Sequence, residues 1–102
     1  MQTDSAVAVY YISNLVLMWK YKDALKVIEN FGDKLKCKIA KANILRLHGL
    51  IYMHDEKKPK EAYKKFVEAR NSFSELNVTL GVALCNAALG FLLYTKVVRL
   101  NF

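Results

Sequence analysis

Asn43-Ile-Leu-Arg-Leu-His-Gly-Leu-Ile-Tyr-Met-His-Asp-Glu-Lys-Lys-Pro-Lys-Glu-Ala-Tyr-Lys-Lys-Phe-Val-Glu-Ala-Arg-Asn-Ser-Phe73 decides how this chain folds. It reads as two antiparallel helices joined by a tight polar turn. In the second, Ala62, Phe66, Ala69 and Phe73 recur at helical spacing and stack on one side. Lys60, Glu61, Lys64, Lys65, Glu68 and Arg70 occupy the other. Pro59 fits the first turn, where its missing N–H leaves no bond unmade. Glu61 and Lys65 form an i,i+4 pair in the favourable order. The first helix is apolar on nearly every side from Ile44 to Met53, so it needs neighbours on two sides.

Outward from this hairpin the same logic continues. Thr3, Asp4 and Ser5 offer N-caps for a helix from about Ala6 to Trp19. A second helix follows, with Ala24, Ile28 and Phe31 on one side and Gly32 as the residue that ends it. The third is predicted to start between Asp33 and Leu35 and reach His54, and the fourth to run from Pro59 to about Phe73. The fifth starts near Asn77 to Thr79 and is predicted to reach about Arg99. One proline and four glycines argue for few turns and long helices, and the absence of alternating apolar–polar runs argues against a sheet. The 102 residues make one all-α domain, or a piece of one, with about five helices.

Gly49-Leu-Ile-Tyr52 followed after a short turn by Ala62, Phe66 and Ala69 resembles a tetratricopeptide repeat. That family places Leu-Gly-x-x-Tyr on a first helix and Ala-x-x-x-Phe-x-x-Ala on a second. His48 stands where leucine is usual, and the family's closing proline is absent. Tyr21, Ala24, Ile28 and Phe31 repeat the second-helix pattern with Phe31 in place of a small residue. Leu89-Gly90 with Leu93 repeats the first-helix pattern. Gly49 to Gly90 is 41 positions and Ala24 to Ala62 is 38, longer than the family's usual period of about 34. The resemblance implies a right-handed solenoid of helical hairpins, with repeats at about 5–33 and 34–74 and a half repeat at 77–100. It further implies a concave groove lined by the first helices. Matched by position, that groove holds Asn43, Arg46, Leu50, Met53 and His54 from one repeat and Leu84, Ala87, Phe91 and Tyr94 from the next. The set is mainly apolar with one cation, which suits an amphipathic helix or peptide, acidic ones included. The alternative is that these residues pack against further helices.

The net charge is +7, and fourteen of the sixteen Lys and Arg lie between Lys20 and Arg70. Lys34, Lys36, Lys38 and Lys41 form one cluster and Lys57, Lys58 and Lys60 another, two patches rather than one stripe. No aromatic residues interleave with exposed arginines as a stacking platform for single strands requires. A solvated face is therefore expected, with an acidic protein partner next and nucleic acid last.

Nothing in the chain points to catalysis or to a cofactor. His48 and His54 are six apart, off one helix face, with no carboxylate or cysteine completing a metal set. Phosphate loops, nucleophile elbows and zinc-protease motifs are absent. Asp55-Glu56 reads as a solvated turn. Cys37 and Cys85 have no metal or redox spacing and are expected as buried, reduced thiols. No cationic segment precedes the first helix, so a cytoplasmic location is expected.

The end of the chain raises a further question, because the fifth helix is apolar nearly all round. Solenoids close on a polar outer face. A continuation, self-association or a membrane is expected there. Leu76 to Thr95 is 20 residues without a charge, long enough to span a bilayer core as a tail anchor. Three readings follow. The first is a non-catalytic protein–protein interaction module. The second is a tail-anchored adaptor, and the third a regulatory repeat domain of a larger signalling or transcription protein.

Overall fold

The computed structural model describes residues 3–54 and 58–94. They form five α-helices: α1 Thr3–Leu17, α2 Tyr21–Phe31, α3 Lys38–His54, α4 Pro59–Glu75 and α5 Thr79–Tyr94, with a short 3-10 turn at Gly32–Lys34. No strand occurs among the described residues. Every substantial helix–helix contact joins elements one or two apart in the chain: α3 on α4, α4 on α5, α1 on α2 and α3, and more lightly α2 on α3 and α3 on α5. The whole measures 41 × 30 × 19 Å.

The predicted stripe of α4 is the densest part of the interior. Ala62, Phe66 and Ala69 are fully buried and Phe73 nearly so. Phe66 packs with Ala62, Leu89 and Leu92, while Phe73 packs with Ala42, Ala69 and Cys85. The small alanines bring the neighbouring backbones close, and the two rings fill the space beside them. A third cluster joins Ile12 and Leu15 of α1, Ala24 and Ile28 of α2, and Ala40, Ile44, Leu47 and Ile51 of α3. Helix α3 therefore contributes to all three clusters, as its nearly all-round apolar sequence requires.

Several boundaries differ from the sequence reading, for local reasons. Thr3 and Ser5 lie within α1 rather than capping it, and Ser5 is buried. Helix α3 begins at Lys38, because Leu35 is extended (φ −78°, ψ 132°) and drops into the core before the chain turns helical. Lys34 and Lys36 therefore precede α3 instead of extending its charged end. Gly32 is right-handed (φ −55°) and leads into the 3-10 turn. The left-handed stops fall at Trp19 (φ 63°) and Asn77 (φ 59°). Each closes a helix with the same paired bonds. Lys20 N–H donates to Leu15 C=O at 2.9 Å and Trp19 N–H to Val16 C=O at 3.0 Å. At the second site Val78 N–H donates to Phe73 C=O at 2.9 Å and Asn77 N–H to Ser74 C=O at 3.1 Å.

The stop at Asn77 also breaks the 76–95 segment. Helix α5 starts only at Thr79, after the turn at Asn77, and its described part, Thr79–Tyr94, has 16 residues. No helix among the described residues is long and apolar enough to cross a membrane. The predicted extension of the fifth helix towards Arg99, like the Asp55-Glu56 turn, lies outside the described residues.

Candidate partner-binding groove

The matched groove positions of α3 lie on one stripe, because 43, 46, 50 and 53 follow helical spacing. All four are half-buried. Leu50 and Met53 pack against the cluster of Phe66, Leu89 and Leu92, so they fill the joint between α3, α4 and α5. The Asn43 amide donates back to the Ile39 carbonyl at 3.2 Å. Arg46 is the unusual member. Its Nε is buried and has no hydrogen-bond partner. Burial pulls its pKa below the ordinary arginine value, with the Cys85 thiol acting in the opposite direction. Burial likewise pushes the Cys85 thiol up, opposed by Arg46 and Arg70. Two guanidinium groups therefore share the neighbourhood of one uncharged thiol, and among the described residues no carboxylate acts on Arg46.

Leu84, Ala87, Phe91 and Tyr94 are exposed on α5, Phe91 at 55 % and Tyr94 at 82 %. The α5 half of the expected groove is thus open surface, whereas the α3 half is largely joint. His54 belongs elsewhere. It is exposed and stacks on Tyr21, with centroids 5.6 Å apart and planes at 9°. Trp19 lies against both rings at 6.2 and 6.1 Å. This aromatic group closes the α1–α2 turn onto the end of α3. Sequence reasoning missed it because Trp19 takes a backbone conformation that normally selects glycine or asparagine.

His48 lies on a different part of α3. Its ring stacks on Tyr52 at 4.5 Å, and Lys58 sits over that tyrosine at 5.2 Å. Burial, then Lys65 and Lys58, hold the His48 pKa down to about 4, so it is neutral at pH 7. The described residues contain no group of His, Cys, Asp or Glu able to hold a metal ion. Cys85 is buried as expected, while Cys37 is half-buried.

A second surface feature was not foreseen. Val7 and Tyr11 of α1, with Val27 and Phe31 of α2 and Leu35, line an open depression of about 540 Å³. Phe31, where the repeat pattern expects a small residue, is 49 % exposed at its edge.

Comparison of the chain with protein-family models, with curated proteins and with solved structures gives no match.

Proposed function

We propose that this chain is a non-catalytic interaction module of the tetratricopeptide type, a short stack of helical hairpins. Its α3–α5 side binds an acidic, partly apolar polypeptide. The observation that carries this reading is Arg46: a half-buried guanidinium whose Nε lacks a partner, bordered by half-buried Asn43, Leu50 and Met53. A carboxylate from outside would supply the missing counter-charge, and charge-assisted pairs with arginine are among the stronger hydrogen bonds. Leu84 and Phe91, exposed on α5, offer apolar contact to flanking side chains. Among the described residues the substantial packing joins near neighbours in the chain, which supports the repeat architecture. On this reading the protein works inside cells as an adaptor or scaffold segment.

The test is selection from a displayed random-peptide library on the wild-type chain, with counter-selection on Arg46→Glu. Enriched sequences should pair an Asp or Glu with aliphatic or aromatic residues at helical spacing. They should lose at least tenfold in affinity for Arg46→Glu, the loss expected from a paired charge. Absence of enrichment, or peptides that bind the variant equally well, would remove the groove assignment.

A further inference from the structure

We propose that α5 is a self-association surface that pairs antiparallel with α5 of a second copy of this chain, about a two-fold axis at Ala87. The proposal shares Leu84 and Phe91 with the groove reading but does not rest on it, since it needs neither Arg46 nor a peptide. One half of α5 is bare among the described residues. Leu80 is 70 % exposed, Leu84 44 %, Phe91 55 % and Tyr94 82 %, and Ala83, Ala87 and Gly90 lie exposed between them.

The order of sizes along this face is self-complementary. An antiparallel partner centred on Ala87 sets each position opposite the one equally far on the other side of that residue. Leu84 then meets Gly90 of the second copy, Phe91 meets Ala83, Leu80 meets Tyr94, and Ala87 meets itself. Both bulky side chains near the axis are received by a small one, and each such contact occurs twice, as an isologous interface requires. Gly90 gains a reason that the described residues of the single chain do not supply. A Cβ at Gly49 would come within 2.9 Å of the Phe66 ring, whereas one at Gly90 would meet nothing within 4 Å. A mid-helix glycine weakens a helix, and the notch at Gly90 is open to Leu84 of the partner as Gly49 is to Phe66.

Charge selects the same place. At +7, two copies repel over most of their surfaces. Helix α5 carries no charged residue, so the copies meet there with least repulsion. Helix α1 is a poorer self-partner, because Tyr10 and Tyr11 stand exposed near its middle and self-pairing would set bulk against bulk. The bare α5 face offers roughly 600 Å² per copy, about 1,200 Å² for the pair, at the low end for specific association. Affinity in the micromolar range is therefore expected.

Sedimentation equilibrium over roughly 10–500 µM chain brackets such an interface. The wild type should move from monomer to dimer and not beyond. Raising salt should favour the dimer, because it screens the repulsion. Phe91→Glu and Ala87→Glu should be monomeric throughout with unchanged helix content, since both side chains already face solvent. Tyr11→Glu should dimerise as the wild type does. In a Cys37→Ala background, Ala87→Cys should crosslink to itself on oxidation and Leu80→Cys should not, because antiparallel pairing separates the two Leu80 positions by about 20 Å. A monomer at the highest concentration, assembly beyond dimer, loss of the dimer in Tyr11→Glu, or crosslinking by Leu80→Cys would each overturn the proposal.

Discussion

Helices α3 and α5 carry the same local pattern: a glycine preceded by a larger residue and followed three positions later by another, His48-Gly49 with Tyr52 and Leu89-Gly90 with Leu93. One is enclosed and the other is half bare. On α3 the ring of Phe66 lies against Gly49, and α1, α2 and α4 cover the helix on several sides. On α5 Gly90 faces open space among the described residues, of which α4 and, lightly, α3 reach the helix. A glycine in a repeat pattern marks a place for close approach. Whether anything approaches depends on the next helix.

Removing the element that encloses α3 tests this contrast most severely. Phe66→Ala takes out a fully buried ring and should cost about 3–5 kcal/mol in denaturant unfolding at low chain concentration. That can be enough to abolish the cooperative transition in a domain this small. A loss below about 1 kcal/mol would mean that the α3–α4 joint repacks freely, and the contrast with α5 would fail.

The two glycines should then respond with opposite signs. Gly49→Ala forces its Cβ to 2.9 Å from the Phe66 ring and should destabilise by about 1–3 kcal/mol. Gly90→Ala meets no neighbour and should stabilise the monomer by about 0.5–1 kcal/mol through helix propensity. Chemical denaturation of both at the same low concentration gives the comparison directly, and a shared sign would break it. Between these in size, Asn77→Ala at φ 59° should cost about 1 kcal/mol. A smaller effect would show that the α4–α5 turn relaxes without harm.

A last expected effect is one of pH and belongs to α3 alone, since Leu89 holds on α5 the position His48 holds on α3. Burial, with Lys65 and Lys58, keeps the folded His48 pKa at about 4, below its ordinary 6.5. The unfolded chain therefore takes up this proton first as the pH falls. Stability should drop from about pH 6.5 down to about pH 4 and then level off as far as this group is concerned. His48→Gln should flatten the unfolding free energy across that window relative to wild type. Parallel curves for the two proteins would show that His48 is solvated.

The α4 stripe was legible residue by residue, because a helix with apolar residues on only one side has a single way to hide them. Trp19 was not, since its left-handed backbone is held by bonds to Leu15 and Val16 and by rings at Tyr21 and His54, and no single-residue preference announces it. The groove was legible only as a set of positions. Leu50 and Met53 share its stripe but fill a joint, whereas Leu84 and Phe91 stay open. Spacing says which residues share a side of a helix and says nothing of what lies opposite.

By itself, then, the amino-acid sequence determined the helical class, the number of helices and the buried side of α4, because periodicity and the small–large alternation act through local geometry. Tertiary structure alone decided which apolar surfaces found a neighbour. It buried Gly49 and left Gly90 bare, and it turned the chain at Asn77 so that 76–95 is not one rod. The physical reason is that burying an apolar surface takes two surfaces, and a sequence pattern specifies only one of them.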